Sequence, residues 1–275
     1  MVREIREERG DEDVAAELNC ALVRLWLGHS FIKAVSTLND QAQQQALRPR
    51  GISFFHGHEA QWLRLVSSST LDRALVKLGL NIPSSVLVLV GGAAGIEKQH
   101  EGLIQEAVAL LANLAEELKL AIVDGGTDLG VMALMGEARA AGNYHFPLVG
   151  VAVEKLVHGP ERPASAASVA LEPNHTHFLF VPGQEWGDES LWLSEIASRL
   201  SQALPSLTIL INGGEISRRD VNYSLLAKRP VLVLQGTGRL ADELALAPPS
   251  SFITVVSANN PHSVASTIRM ILTRR

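Results

Sequence analysis

Cysteine is nearly absent. Cys20 is the only one in 275 residues, so no internal disulfide forms and no cysteine-rich metal set is available. Long apolar runs are missing as well: no segment approaches the roughly 18 consecutive apolar residues of a membrane span. Residues 1–13 alternate acids and bases where a signal peptide would carry an apolar core. Positive charge is also in deficit. With 24 Lys and Arg against 29 Asp and Glu, the net charge is −5, which speaks against a nucleic-acid surface built on many phosphate contacts. These absences predict a soluble, cytoplasmic protein without a nucleic-acid partner. What is plentiful is apolar: 47% hydrophobic residues suffice to pack one large α/β domain or two small ones.

From about Val86 onward, short runs of Val, Ile and Leu alternate with helical patterns, the signature of repeated βα units and a parallel sheet. Seven strands are predicted, at 86–90, 120–123, 148–152, 177–181, 207–211, 231–234 and 252–256. Between the first two, Leu103, Ala107, Leu110, Leu111, Leu114 and Leu118 recur at helical spacing. Stretches 191–203, 221–226 and 263–272 read as further helices, and 159–174, with its Pro and Ser, as a loop. The first eighty residues differ: 14–38 and 60–78 read as mostly helical around a Gln-rich segment. The expected organisation is a helical extension or cap over 1–82 and a doubly wound domain over 83–275, divided where Pro and Ser interrupt the pattern at 81–84.

In open parallel sheets the ligand crevice lies beyond the carboxyl ends of the strands. The residues there are glycines: Gly91-Gly92-Ala93 after the first strand, Asp124-Gly125-Gly126-Thr127 after the second, Gly213-Gly214-Glu215 after the fifth, Gly236-Thr237-Gly238-Arg239 after the sixth. Glycine lets a ligand approach main-chain N–H groups, and a helix start adds partial positive charge that suits phosphate. Four such turns on one edge point to a phosphate-bearing ligand. The stretch from Gly236 resembles the dinucleotide G-x-G-x-x-A but lacks an acid about 20 positions on, which disfavours hydride transfer. Asp124 ends a strand where such enzymes hold a ribose, so a ribose contact stays open there. Arg239 would oppose a helix macrodipole unless an anion lies close.

His175 and His177 form an H-x-H without a third ligand, and hydrogen bonding within the loop is the favoured reading over a metal. For Trp186 the choice is between packing and a wall against a nucleobase, and for Trp192 packing is favoured.

The turns at 88–93, 123–132, 171–178, 212–215 and 236–242, in that order, resemble the SLOG superfamily. In particular, they resemble bacterial proteins similar to the N-terminal ligand-sensing (LSDAT) region of melastatin-type TRP channels. The resemblance runs from about Val86 to the C-terminus. It implies a Rossmann-like fold, a signalling role, and binding of a nucleotide such as ADP-ribose or NAD with no catalytic cofactor. It also implies contacts at the Gly91-Gly92 turn, Thr127, the Gly213-Gly214 turn, Arg239 and Arg199. The module would act alone, as a homo-oligomer or through a separate effector protein. The alternative is a LOG-type phosphoribohydrolase, in which Asp220 would stand at the catalytic acid of G-G-x-G-T-x-x-E. Here Ser217 replaces the Thr, Asp220 is one carbon shorter than Glu, and Ile216 occupies a loop glycine, a residue that reaches positive φ only at a cost.

Overall fold

A stretch such as Val86-Leu87-Val88-Leu89-Val90 has no polar face to offer water, so it forms a strand covered on both sides. Its odd and even side chains divide accordingly: Val86, Val88 and Val90 join one core cluster, Leu87 and Leu89 another. A computed structural model of the chain describes residues 47–55, 57–161 and 164–273.

In chain order the first elements are β1 (Arg50–Ser53), β2 (Glu59–Arg64), α1 (Leu71–Lys77), β3 (Val86–Gly91), α2 (Lys98–Glu117), β4 (Ala121–Asp124) and α3 (Gly130–Ala141). There follow β5 (Leu148–Val153), the short pair β6 (Val157–His158) and β7 (Val169–Ala170), β8 (His177–Val181) and α4 (Ser190–Ser201). The chain continues through β9 (Ser206–Ile211), α5 (Glu215–Leu226), β10 (Val231–Gln235), α6 (Arg239–Ala245), β11 (Ile253–Ser257) and α7 (Pro261–Leu272). Nine strands make one sheet, β1-β2-β8-β5-β4-β3-β9-β10-β11, parallel throughout except between β1 and β2. The chain steps outward from β3 to β8, then returns to lay β9 on the other side of β3, with Gly91 opposite Ile211. That reversal is the switch point of a doubly wound sheet, and it fixes where a crevice opens. Helices α2, α3 and α7 pack on one face with Ile104, Leu111, Met135 and Ile268. Helices α4, α5 and α6 cover the other with Ile196, Val221 and Leu240.

All seven predicted strands are present, within a residue or so of their expected ends. The prediction for residues 60–78 is corrected: Glu59–Arg64 is a strand, and only Leu71–Lys77 is α-helical. The β1–β2 pair extends the sheet beyond β8, and residues 47–275 form one unit, so the boundary expected at 81–84 falls inside it. The helical expectation for 14–38 lies outside the described residues.

Candidate functional site

The turns that follow β3, β4 and β9 come together around a cavity of about 380 Å³ at the switch point. Residues 89–94 form its floor. Gly125, Thr127, Leu129 and Met132 approach from the β4 turn and α3, while Gly214, Glu215, Ile216, Ser217 and Asp220 approach from α5. Glu189 and Leu193 belong to the start of α4, Trp186 and Val169 contribute to the wall, and Arg239 lies at the exposed mouth. Helices α3 and α5 both begin here, and neither start is capped by a side chain; the Val131 amide of α3 donates to the Gly92 carbonyl, and the first-turn N–H groups of α5 at Glu215, Ile216 and Ser217 are left for another acceptor. Gly130 makes the approach of α3 possible. Its φ is 53°, and a Cβ there would lie 1.9 Å from the carbonyl oxygen of Gly92.

Arg239 is unusual in its backbone. Its φ of 52° puts a non-glycine residue in the left-handed region, a strain found preferentially at functional positions. The side chain reaches across the mouth, where Nη1 donates to the carbonyl of Ala94 at 2.8 Å, and passes over Gly95 and Gly214. Its neighbours in sequence are engaged elsewhere. The amides of Gly236 and Gly238 donate to the Asp242 carboxylate, and the wholly buried Thr237 hydroxyl donates to Leu234 and accepts from the Asn212 amide. The expectation that Gly236, Thr237 and Gly238 cradle a phosphate is therefore corrected: Asp242 already occupies two of those amides. The turn serves to hold Asn212 and to present Arg239.

Two further expectations are also redirected. Arg199 lies in the last turn of α4, and since α4 starts at the carboxyl edge, its end points to the opposite edge. There Nη1 of Arg199 pairs with Asp72 at 2.9 Å. Asp124 is fully buried, and its Oδ1 accepts from the Gly126 amide at 2.7 Å and from Nε2 of His175 at 2.8 Å. Asp124 does not line the switch-point cavity. On the other side of the ring, Nδ1 of His175 donates to Glu172 at 2.7 Å, so one imidazole joins two acids at zero side-chain exposure. Burial alone would lower the His175 pKa, but Asp124 and then Glu172 override it and raise it to about 9, which keeps the ring charged. His177 serves different partners, Thr176 and the Leu78 carbonyl. Gly126 packs against Gly150 and Phe178 rather than facing the cavity, whereas Gly125 and Thr127 line it. Trp192 packs on the core, as expected.

Sequence reasoning missed Glu189, whose signal was an acid at the start of the helix that follows β8. Burial pushes its carboxyl up, and Oε2 accepts from the Gly187 amide at 2.9 Å. Burial likewise pushes Asp220 up, to about 7, with the nearby Glu189 adding to the effect and the Ser190 hydroxyl partly opposing it. Asp220 Oδ1 and Ser190 Oγ are both shut off from solvent, and neither has a well-formed hydrogen bond. A larger and more open hollow of about 700 Å³ lies beyond β2, β5 and β8, but its long polar side chains are engaged with one another, Arg64 with Glu154 and Lys155 with Gln184. Two helix starts without side-chain caps, the Arg239 guanidinium and two buried acids with raised pKa mark the switch-point cavity as the stronger candidate.

A protein-family model described as SLOG in TRPM, prokaryote, matches residues 84–268. Among solved structures, this chain is similar to TM1055, a Northeast Structural Genomics Consortium target, at 17% identity and a TM-score of 0.50, covering 68% of this chain and 99% of that one. It is also similar to the molybdenum cofactor carrier protein MCP from Chlamydomonas reinhardtii, at 15% identity and a TM-score of 0.47, covering 70% and 99%. Among the described residues no helix is long and apolar enough to cross a membrane.

Proposed function

Because the chain belongs to the family described as SLOG in TRPM, prokaryote, a nucleotide-related class of fold, we propose that it binds a phosphate-bearing nucleotide of the ADP-ribose or NAD kind at the switch-point cavity and acts as a sensor. The observation that carries this reading is convergence. Two helix starts without side-chain caps and the Arg239 guanidinium surround one mostly apolar cavity at the carboxyl ends of β3 and β9. Phosphate would meet the N–H groups of Ala93 and Ala94 and of the Gly214–Ile216 turn, with Arg239 closing over it.

Thermal melts with ADP-ribose, NAD and AMP test this. At a hundred times its dissociation constant a ligand specific for the native state adds about 2.7 kcal/mol of stability. Arg239→Ala should weaken binding roughly ten- to a hundredfold while changing the ligand-free protein by less than about 1 kcal/mol, since Ala meets the same backbone strain and only one neutral acceptor is lost. Arg218→Ala is the control for general loss of charge, because Arg218 pairs with Glu243 at 2.6 Å outside the cavity. No stabilisation by any of the three nucleotides, or full binding by Arg239→Ala, would remove the reading.

A second reading, an N-glycosidic hydrolase, is favoured by one observation. Asp220 in the cavity has a pKa of about 7, suited to proton transfer at neutral pH. Release of free base that disappears in Asp220→Asn would replace sensing with turnover.

A further inference from the structure

The sheet ends at β11, and among the described residues no other strand pairs with its outer edge. Which main-chain groups face outward follows from the ladder with β10. The Val231 N–H donates to the Phe252 carbonyl and the Ala258 N–H to the Gln235 carbonyl, with Ile253 opposite Val231 and Ser257 opposite Gln235. Thr254 and Val256 therefore turn their amides and carbonyls to β10, while Ile253, Val255 and Ser257 turn theirs outward. Some of the outward groups are already engaged. The Ile253 N–H donates to the Ser250 carbonyl at 3.3 Å, and the Ser257 carbonyl accepts from the Asn260 amide at 3.0 Å. Both main-chain groups of Val255, the Ile253 carbonyl and the Ser257 amide are left over. The side chains are open as well: α6 packs chiefly on β10, and Val255 is 38% exposed, with Phe252 at 41% at the start of the strand. An uncovered edge of this kind is a template for another strand. The opposite edge strand, β1, is shorter and carries a charge at Arg50.

We propose that this edge is an interface between two copies of the chain, with β11 running antiparallel to β11 of the partner subunit about a two-fold axis at Val255. It holds whatever the switch-point cavity binds. Self-complementarity selects a second copy as the occupant. In that register each Val255 exchanges both main-chain bonds with the partner subunit's Val255, and each Ser257 amide donates to the partner subunit's Ile253 carbonyl. Every outward group that was left over is then paired. The two already engaged, the Ile253 amide and the Ser257 carbonyl, fall opposite each other, where neither needs a partner. Sliding the pair by two residues would instead set a Val255 amide against a Ser257 carbonyl that Asn260 already uses. Charge selects the same occupant. Leu244 to Ile268 contains no Asp, Glu, Lys or Arg, although these make up 19% of the chain. A two-fold axis brings a residue close to its own copy, where a charge would be repelled, so a neutral stretch is where two chains of net charge −5 can meet.

Sedimentation velocity on the full chain, over roughly a hundredfold range of concentration, is the test. The parent should show a concentration-dependent equilibrium of monomer and dimer, weak rather than obligate because a strand of 5 residues builds a small interface. Val255→Pro deletes the central donor without touching the β10 ladder, since that N–H points outward, and Val255→Lys sets two cations against each other across the axis. Each should raise the dimer dissociation constant at least about tenfold, with a thermal melt close to the parent's. An equimolar mixture of Val255→Lys and Val255→Glu should recover the dimer, because opposite charges then face each other where the copies meet. A parent that is monomeric throughout overturns the proposal and leaves the edge to a different partner or to none. A dimer that Val255→Pro and Val255→Lys both leave intact places the interface elsewhere and overturns it too. So does a mixture of the Lys and Glu variants that stays monomeric.

Discussion

His175→Ala should cost about 3–5 kcal/mol of folding stability, because it removes the charged partner of two wholly buried acids and leaves Asp124 and Glu172 facing each other unpaired. Against a total of roughly 5–15 kcal/mol for a domain, that is a large share, and the melting temperature should drop by about 6–20 °C. The network is also tight in space. A Cβ on Gly136 of α3 would lie 2.0 Å from the Glu172 carboxyl, and Glu172 also accepts from the amide and the side chain of Asn174. The sign of the pH dependence follows from the raised pKa. The unfolded imidazole titrates near 6.5 and the folded one near 9, so the contribution is complete below about 6.5 and is lost as pH rises through about 9. Denaturant melts from pH 6 to 10 should show this descending limb in the parent and not in His175→Ala. An unchanged stability at pH 6 would mean that the three side chains do not act as a unit.

Asp220→Asn should do the opposite and stabilise the ligand-free protein. The folded acid keeps its proton up to about pH 7, while the unfolded one loses it near 3.8. Over that window the parent loses stability as pH rises, by up to about 1.4 kcal/mol per unit, or roughly 4 kcal/mol by pH 8. Asparagine has no proton to lose, so the difference between variant and parent should grow from pH 4 to 7 and then level off. Melts of the two proteins side by side measure it, and a destabilised variant at pH 8 would show that Asp220 is compensated by a partner. An acid that lowers stability at neutral pH while facing a cavity is expected where function, not folding, keeps it.

The central strands and glycine turns were legible because burial on both faces leaves no ambiguity of period: β3, β4, β5, β8, β9 and β10 are continuous apolar runs. Strand β2 was misread because Ala60 and Leu63, its buried positions, also fit helical spacing, and a six-residue segment cannot separate the two periods. At the site, Gly91, Gly92, Ala93, Gly125, Thr127, Gly214, Glu215 and Arg239 were placed together by a topological rule that needs only strand ends. What was hidden is long-range pairing. Nothing local to Asp124 shows that His175, 51 residues on, will occupy it. Arg199 was recoverable: nine residues of helix beyond Ser190 span about 14 Å, which carries it away from the edge where α4 begins. The Asp242 contacts to Gly236 and Gly238 were within a few residues and equally open to a capping argument.

The adjacency of β3 and β9 has a kinetic side. Val90 and Leu210 are register partners in adjacent strands, yet more than a hundred residues and three intervening strands of the sheet, β4, β5 and β8, separate them along the chain. Neighbouring βα units form through short loops, whereas the β3–β9 seam closes a long one, with a correspondingly larger entropic barrier. The switch-point cavity, lined from both β3 and the turn after β9, is complete only once that seam has closed. A ligand bound there would contact both sides of that seam, so its effect is expected on how slowly the finished protein comes apart rather than on how quickly it is made.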